Sequence, residues 1–532
     1  MPLNKRIFLS LIVSFFLTIS LSGCIFQDIF GGGLNIDSWT VVDSNGFPAI
    51  SYSYSCSNYI LVKMFNPDDN LVDTDYFFKG DGKKTLYLGS YKQTIAPGKY
   101  TIKAYNSNGN EVTSKSLSFN ENDILISSCD QKWWVKGSDK ILVGLNLVLS
   151  NIGDTSVYPY SISLETESES ISGLVLPCNI LPGDSSIVNC VLYKNSVPSE
   201  DIFNLYVFDI DGNILSSKQF DFDIKNSMQT ETYNKGVEKT LYLPYPDFLF
   251  EYYSSLERIN ENDYSYYVFD NYDDYFLDLF IDKMVSTLSF GELQYNKMSE
   301  TEKINFFANF VQNLEYKEDI VVNNQSEYPN YPIESFFKRI IGCDCEDKSI
   351  LMASILDRVG FNVSLFRLPN HMAVGVKLDD VEGYSKYNNG YYYLETTTIE
   401  APIGFIPSQY RNPSSLEVYE LSNRPFITQT WIDGVFTIYT QTSFGDFVKL
   451  DAIIENYGRS TATDIKLKGV FVTSFDTIIN SEEYTISSLE PSKKTKVTLT
   501  VDIPKTLTTT FKSLVYLNDE IVNEKESVST FP

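Results

Sequence analysis

Histidine is nearly absent from this sequence. One occurs in 532 residues, His371, so any chemistry that needs an imidazole must run there, and metal sites built on several histidines are excluded. Cysteine is sparse too. The seven, at positions 24, 56, 129, 178, 190, 343 and 345, are too few for a disulfide scaffold and lack the CxxC spacing of a structural zinc module. Basic residues are outnumbered, 42 Lys and Arg against 69 Asp and Glu, giving a formal net charge of -27. Such a field repels phosphate backbones, which excludes nucleic acid as a partner. Aromatic residues are abundant instead, 37 Tyr and 36 Phe in a chain that is 43% hydrophobic, so disorder is excluded as well. At roughly 100 to 200 residues per domain, the length fits three or four domains.

The first cysteine sets the location. Lys5 and Arg6 precede an apolar run from Ile7 to Leu21 that is too short for a confident membrane span and reads as an export signal. It ends in Leu21-Ser22-Gly23-Cys24, which resembles the lipobox of prokaryotic lipoproteins. That resemblance implies removal of residues 1–23, a lipid on Cys24, and a body held outside the cytoplasm at the cell membrane. Residues 24–33, with Gly31-Gly32-Gly33, read as a flexible tether.

From 34 to 224, short runs rich in Tyr, Ile, Val, Leu and Thr alternate with Asn, Asp, Gly and Pro turns, the rhythm of β-sandwiches; Asn108-Gly109 and Asp211-Gly212 are hairpin signals. An internal repeat sharpens this. Leu145 to Asn151-Ile152-Gly153-Asp154-Thr155 recurs as Leu450 to Asn456-Tyr457-Gly458-Arg459-Ser460, and Leu181-Pro182 downstream of the first copy matches Leu489-Glu490-Pro491 downstream of the second. Both stretches resemble Ig-like adhesion-type modules of prokaryotic surface proteins. The pattern places sandwiches at 34–120, 121–224 and 428–532, with 225–427 between the second and third.

That middle segment reads differently. Asp274 to Leu288 and Glu300 to Leu314 carry helical periodicity, the second with a capping box in Ser299-x-x-Glu302. A third helix is expected from Glu346 to Val359, stopped by Gly360. Strand-like runs follow at Phe361 to Leu368, His371 to Leu378 and Tyr391 to Thr397, so the segment is read as an α+β domain.

Within it, Ile341-Gly342-Cys343-Asp344-Cys345-Glu346-Asp347 puts a thiol at the start of a helix, where free N–H groups and the dipole favour a thiolate and an adjacent oxyanion. His371 opens one strand and Glu395 lies on another. In such a set the imidazole takes the thiol proton and later protonates the leaving amine, while the carboxylate fixes the ring. These three segments, with Phe310-Val311-Gln312, the stretch from Glu327 to Glu334 and the turn Gly342-x-x-Cys345-Glu346-Asp347, resemble the transglutaminase-like superfamily of papain-like folds, in particular its prokaryotic branch of secreted cysteine peptidase-like proteins. The resemblance covers about residues 270–410. It implies nucleophile Cys345, base His371 and orienting acid Glu395, with Gln312 as an oxyanion-hole or substrate contact. The family more often has aspartate in the third place, so Glu395 is a departure.

The remaining cysteines and acids need their own readings. Cys178 and Cys190 fall on neighbouring strands of the second sandwich, and an exported chain permits a disulfide there if register brings the sulfurs together. Cys56 and Cys129 read as free buried thiols. Cys343 reads as a resolving thiol or a loop substitution. Asp344, Glu346 and Asp347 raise a neighbouring thiol pKa if they face it; they are expected to turn out into solvent, where Glu346 and Asp347 stabilise the first helical turn. Cys343, Cys345 and His371 lack a fourth zinc ligand, so no metal or other cofactor is expected. The expectation is a lipid-anchored thiol enzyme that attacks an amide of a surface polypeptide, forms a thioester and passes the acyl group to water or an amine. The other reading, from a different class, is a non-catalytic adhesion or scaffold protein.

Overall fold

The computed structural model describes residues 34–531 apart from 137–138, 193–201, 224–229, 236–238, 259–262, 338–341, 389, 422–423 and 433–436. The export signal, Cys24 and the tether lie outside the described residues. The protein is multidomain and mostly β, with several separate sheets. Among the described residues no helix is long and apolar enough to cross a membrane.

Residues 34–119 form two sheets. One orders the strands Leu34–Ser44, Phe47–Cys56 and Gly80–Tyr87; the other orders Leu71–Phe77, Ile60–Phe65, Gly98–Tyr105 and Glu111–Phe119. Alternation along these strands sends one side chain in two inward, and Ile50, Tyr52, Val62, Met64, Ile102 and Leu117 meet between the sheets. Residues 124–221 join into one seven-stranded antiparallel sheet, ordered Ile214–Asp221, Ile202–Phe208, Ser161–Glu165, Ser170–Val175, Ser185–Leu192, Asp139–Asn151 and Ile124–Lys136. Its two outer strands approach each other, for Ser216 Oγ donates to the Ile124 carbonyl at 2.6 Å and Lys218 Nζ to that of Ile126 at 2.8 Å. The sheet therefore curls around its own core, with Trp133, Leu145, Leu147 and Val188 inside. Asp211-Gly212 and Asn108-Gly109 each join antiparallel partners as their turn chemistry requires.

At the far end, Gly445–Asn456 pairs with Ile427–Trp431, Thr437–Thr442 and Lys494–Asp502, and a second sheet orders Ile478–Leu489, Ala462–Val472, Thr509–Leu517 and Glu520–Phe531. Their facing sides enclose Val448, Leu450, Ile465, Leu467, Phe511 and Val515.

The described α-helices all lie between Asp247 and Arg358. Glu300–Gln312 begins with the expected capping box: Ser299 accepts from the Glu302 backbone N–H, and the Glu302 carboxylate returns a bond to the Ser299 N–H at 2.8 Å. Its inward stripe of Ile304, Phe307, Phe310 and Val311 packs against the Cys345–Arg358 helix, which is buried along nearly its whole length. A four-stranded antiparallel sheet, ordered Tyr391–Leu394, His371–Lys377, Val363–Leu368 and Glu417–Glu420, covers the other side of that helix through Leu365, Val374 and Val376. Burial on both sides fixes the start of the Cys345–Arg358 helix against the ends of the strands.

The possible disulfide does not form: Cys178 and Cys190 are both free thiols. The register explains why, since Val175 rather than Cys178 stands opposite Cys190. Cys190 is fully buried in the curled sheet, whereas Cys178 lies in the loop beyond the strand. Cys56 and Cys129 are both free; Cys56 is buried as expected, whereas Cys129 is only half-buried.

Candidate active site

The turn before the Cys345–Arg358 helix is fixed from several directions. Gly342 has φ 133°, and a Cβ there would meet the Lys317 side chain at 2.5 Å, so the turn admits only glycine without rearrangement. Cys343 is fully buried and tied in by backbone bonds, its N–H to Glu315 at 2.9 Å and its carbonyl accepting from Lys317 at 3.3 Å. Its thiol donates to the Ser335 carbonyl at 3.5 Å, which places it in the loop's packing rather than beside the reaction space. Cys345 is the first residue of the helix, so its sulfur sits at the positive end of the dipole, and the backbone N–H of Met372 also points at it. Cys345, His371 and the Met372 backbone open on one cavity of 810 Å³.

His371 and Glu395 form a pair. His371 Nε2 lies 3.2 Å from Glu395 Oε2, and the ring stacks on Tyr410 at 4.5 Å between centroids and 6° between planes. With Nε2 held by the carboxylate, Nδ1 is the ring nitrogen left for chemistry. Glu395 is buried and accepts four bonds: from His371 and the Tyr393 hydroxyl on Oε2, and from the Thr397 N–H and hydroxyl on Oε1. Burial alone would raise its pKa, but the imidazole and the Thr397 donors win and hold it at about 2. The extra methylene of glutamate is absorbed by this net of donors.

Gln312 stands elsewhere than the sequence suggested. Its amide is buried and donates both hydrogens to backbone carbonyls, those of Glu395 and Ala401, each at 2.8 Å, and it does not line the cavity. With both donors engaged it cannot serve an oxyanion; it holds the backbone of Glu395. Lys348 has a related task unmarked by any motif. It is buried and donates to the Gln312 and Leu314 carbonyls at 3.3 and 2.7 Å, closing the negative end of the Glu300–Gln312 helix. In the sequence it is one more charge in the first turn, after Glu346 and Asp347, and nothing there marked it as inward.

The acids flanking Cys345 do not turn outward. Asp344, Glu346 and Asp347 are all buried. Asp347 is drawn in by Asn330, which donates to it from the backbone N–H at 2.8 Å and from its side-chain amide. Glu346 faces the thiol, whose sulfur donates to Oε2 at 3.2 Å. Burial pushes the Cys345 thiol up, and the charges of Glu346 and Asp344 push it further, against the Met372 N–H. Burial likewise raises Asp344 and Glu346, with their mutual repulsion adding to the rise of Asp344. Asp319, Asp344 and Glu346 bring one oxygen each within 4.8 Å of one another, and Asp344 Oδ1 is buried without a hydrogen-bond partner. An all-oxygen set of this kind suits a hard divalent cation rather than zinc, so these three residues could hold one. Asp319 lies 26 positions before Cys345, and no spacing rule in the sequence marked it.

No family model matches the chain, and no curated protein does. Solved structures with local similarity include a β-glucuronidase from glycoside hydrolase family 2, with 9% identity and TM-score 0.17 over 31% of this chain and 21% of that one. Another is a glycosyl hydrolase family 2 member from Bacteroides cellulosilyticus DSM 14838, with 12% identity and TM-score 0.15 over 31% of this chain and 26% of that one. The YadV chaperone matches at 11% identity and TM-score 0.13, over 36% of this chain and all of its own. This chain thus spans about a quarter or less of the two hydrolases, and at such scores these likenesses carry no argument about its fold or activity.

Proposed function

We propose that the chain is a lipid-anchored extracytoplasmic thiol enzyme of transglutaminase-like type, acting on an amide of a surface polypeptide. In this reading the segment 225–427 is an α+β, papain-like domain and the flanking modules are Ig-like spacers. The observation that carries it is the His371–Glu395 pair, 3.2 Å apart, opening on the same cavity as a thiol at a helix N-terminus.

His371 Nδ1 takes the Cys345 proton as the sulfur attacks the amide carbon. The carbonyl oxygen gains the electron pair and is met by N–H groups at the helix start. As the C–N bond breaks, the imidazolium returns the proton to the leaving amine and a thioester remains. Water or a second amine then attacks that thioester, His371 takes its proton, and the thiol is restored. Glu395 keeps Nε2 protonated throughout and holds the imidazolium.

A second reading, a catalytically inactive surface scaffold, has its own support: the Cys345 sulfur donates to Glu346, and burial with two adjacent acids holds the thiol in its protonated form. Mass spectrometry after incubation with a thiol-directed electrophile separates the two. Labelling confined to Cys345, absent from Cys345→Ala and kept in Cys343→Ala, supports the enzyme; a Cys345 inert in the folded protein supports the scaffold. The anchor is tested separately. Cys24→Ser should leave an unprocessed, heavier precursor, and normal processing and membrane retention of that variant would refute lipidation.

A further inference from the structure

Away from the thiol, a cavity of 470 Å³ opens where three parts of the chain meet: Lys92 and Asp43 from the first sandwich, Tyr158 and Cys178 from the curled sheet, Glu455 and Lys494 from the last one. The carboxylates on its wall are already engaged. Asp43 accepts the Tyr158 hydroxyl at 2.8 Å, and Glu455 pairs with Lys494 at 2.7 Å. Lys92 is not. It is more than nine-tenths buried, its ammonium rests 5.3 Å from the Tyr91 ring centre and 5.8 Å from that of Tyr160, and no ion pair or hydrogen bond to Nζ is found among the described residues. The backbone does not demand a lysine either, for Lys92 has φ 50°, a left-handed conformation that glycine or asparagine adopts at lower cost. Asp43 and Glu455 act on this ammonium only from a distance and are engaged elsewhere, so it lacks a directly bonded counter-ion.

We infer that this junction cavity binds a small oxyanion, a carboxylate or a phosphate, through the ammonium of Lys92. Lys494 adds positive charge from the opposite module, its Nζ also 5.3 Å from the Tyr91 ring centre, so a bound anion bridges the first and last sandwiches. Burial pushes Lys92 down to about 8, and the charge of Lys494 pushes the same way, against Cys178, Glu455 and Asp43. Below that pH the ammonium is present to receive the anion; above it affinity falls, since deprotonation removes the charge that binds.

Isothermal titration of the purified protein with succinate and, separately, inorganic phosphate tests this. Saturable binding of either is expected, weakened about tenfold or more by Lys92→Gln and by raising the pH from 7 to 9. Succinate binding would assign a carboxylate ligand and phosphate binding a phosphorylated one. No saturable binding of either, or equal binding by Lys92→Gln, overturns the site. Should that variant fail to fold by circular dichroism, amine acylation of the wild-type protein decides: the bound anion must protect Lys92 from the reagent, and unprotected Lys92 overturns the proposal.

Discussion

At the Cys345 sulfur two influences of opposite sign meet: the helix N-terminus and the Met372 N–H favour a thiolate, while burial, Glu346 and Asp344 oppose it. The balance is testable one carboxylate at a time. Glu346→Gln keeps the size of the side chain and replaces the carboxylate 3.2 Å from the sulfur with a neutral amide, removing the charge. In chelator-treated protein the thiol pKa should fall by about one unit, raising electrophile labelling at pH 7 up to about tenfold. A labelling rate unchanged across a pH series would mean that the carboxylate does not set the thiol's acidity. The same pair of acids has a linkage signature. Their folded pKa values lie above the unfolded ones, so their contribution to stability is complete below about pH 4 and is lost as pH rises toward neutrality and beyond. Glu395 is the opposite case. Depressed to about 2, it contributes stability above the ordinary carboxylate range that is lost only as pH falls toward its folded value. Glu395→Gln should preserve the fold and lower single-turnover acylation by about 10²-fold to 10⁴-fold, because the amide favours the wrong tautomer of His371. An unchanged rate in the folded variant would leave Cys345 and His371 to act without it. Cys345, His371 and Glu395 could be named from residue type and order, whereas the inward turn of Asp344 and Glu346 could not. Asp319, which meets them, and Asn330, which holds the neighbouring Asp347, both come from the segment before the helix.

The repeated Asn-x-Gly-x-Thr/Ser element shows what a short pattern can specify. Asn151 donates to the Thr155 and Ile180 carbonyls at 2.7 and 2.9 Å and accepts from the Gly153 N–H at 3.0 Å. Asn456 donates to the Ser460 and Leu489 carbonyls, both at 2.9 Å, and accepts from the Gly458 N–H at 3.0 Å. In each copy one fully buried amide closes the turn after a long strand and ties it to the loop before the next partner. Glycine at 458 is required by space as well, since a Cβ would lie 2.3 Å from the Arg424 carbonyl oxygen and the Phe426 nitrogen. Asn456→Ala leaves two carbonyls and the N–H groups of Gly458 and Phe426 without their partner and should destabilise the last sandwich by about 2 to 4 kcal/mol, read as a lower unfolding midpoint. Asn456→Asp keeps the acceptor alone and should also destabilise; wild-type stability of both would show that water replaces the amide. Helices were legible to a similar degree. Glu300–Gln312 announced itself by its capping box and stripe, and Cys345–Arg358 by its apolar run before Gly360. The cysteine pairing at 178 and 190 was not, because strand spacing does not determine which residue lies opposite Cys190.

Across the whole molecule, the first and last sandwiches meet through buried charge. Lys449 donates to Asp75 at 3.0 Å and to Asp451 at 2.6 Å, Lys496 reaches Asp73 at 2.6 Å, and Lys84 donates to the Tyr439 hydroxyl at 3.0 Å. Lys449 and Asp75 are 374 positions apart, so no local pattern could have signalled the contact. The last sandwich also touches the helix that carries Cys345, where Arg459, next to the repeat's glycine, pairs with Asp357 near that helix's end; Tyr457 packs on Tyr266 of the separate helix Ser265–Phe269 at 4.4 Å. A disturbance of the first sandwich therefore has a packed route to the thiol helix, whereas modules joined as independent beads would have none. Lys449→Met discriminates between these arrangements. Its hydrocarbon fills most of the lysine's volume but removes the cation that Asp75 and Asp451 share, leaving them Lys84 at 3.4 Å and Lys496 at 3.5 Å, so the loss should stay below the about 3 to 5 kcal/mol of a buried pair broken outright. If the sandwiches are docked through this network, the variant should lose a joint unfolding transition, melt in separate steps and expose new protease sites between 34–119 and 427–531. Removing Asp75 as well, as Asp75→Asn with Lys449→Met, should recover part of the loss, because an amide costs less to bury than a carboxylate that has lost its closer cation. Unchanged melting and proteolysis in the single variant would mean that the contact contributes nothing to docking in solution, and the two sandwiches would then act as separate units on either side of the thiol segment.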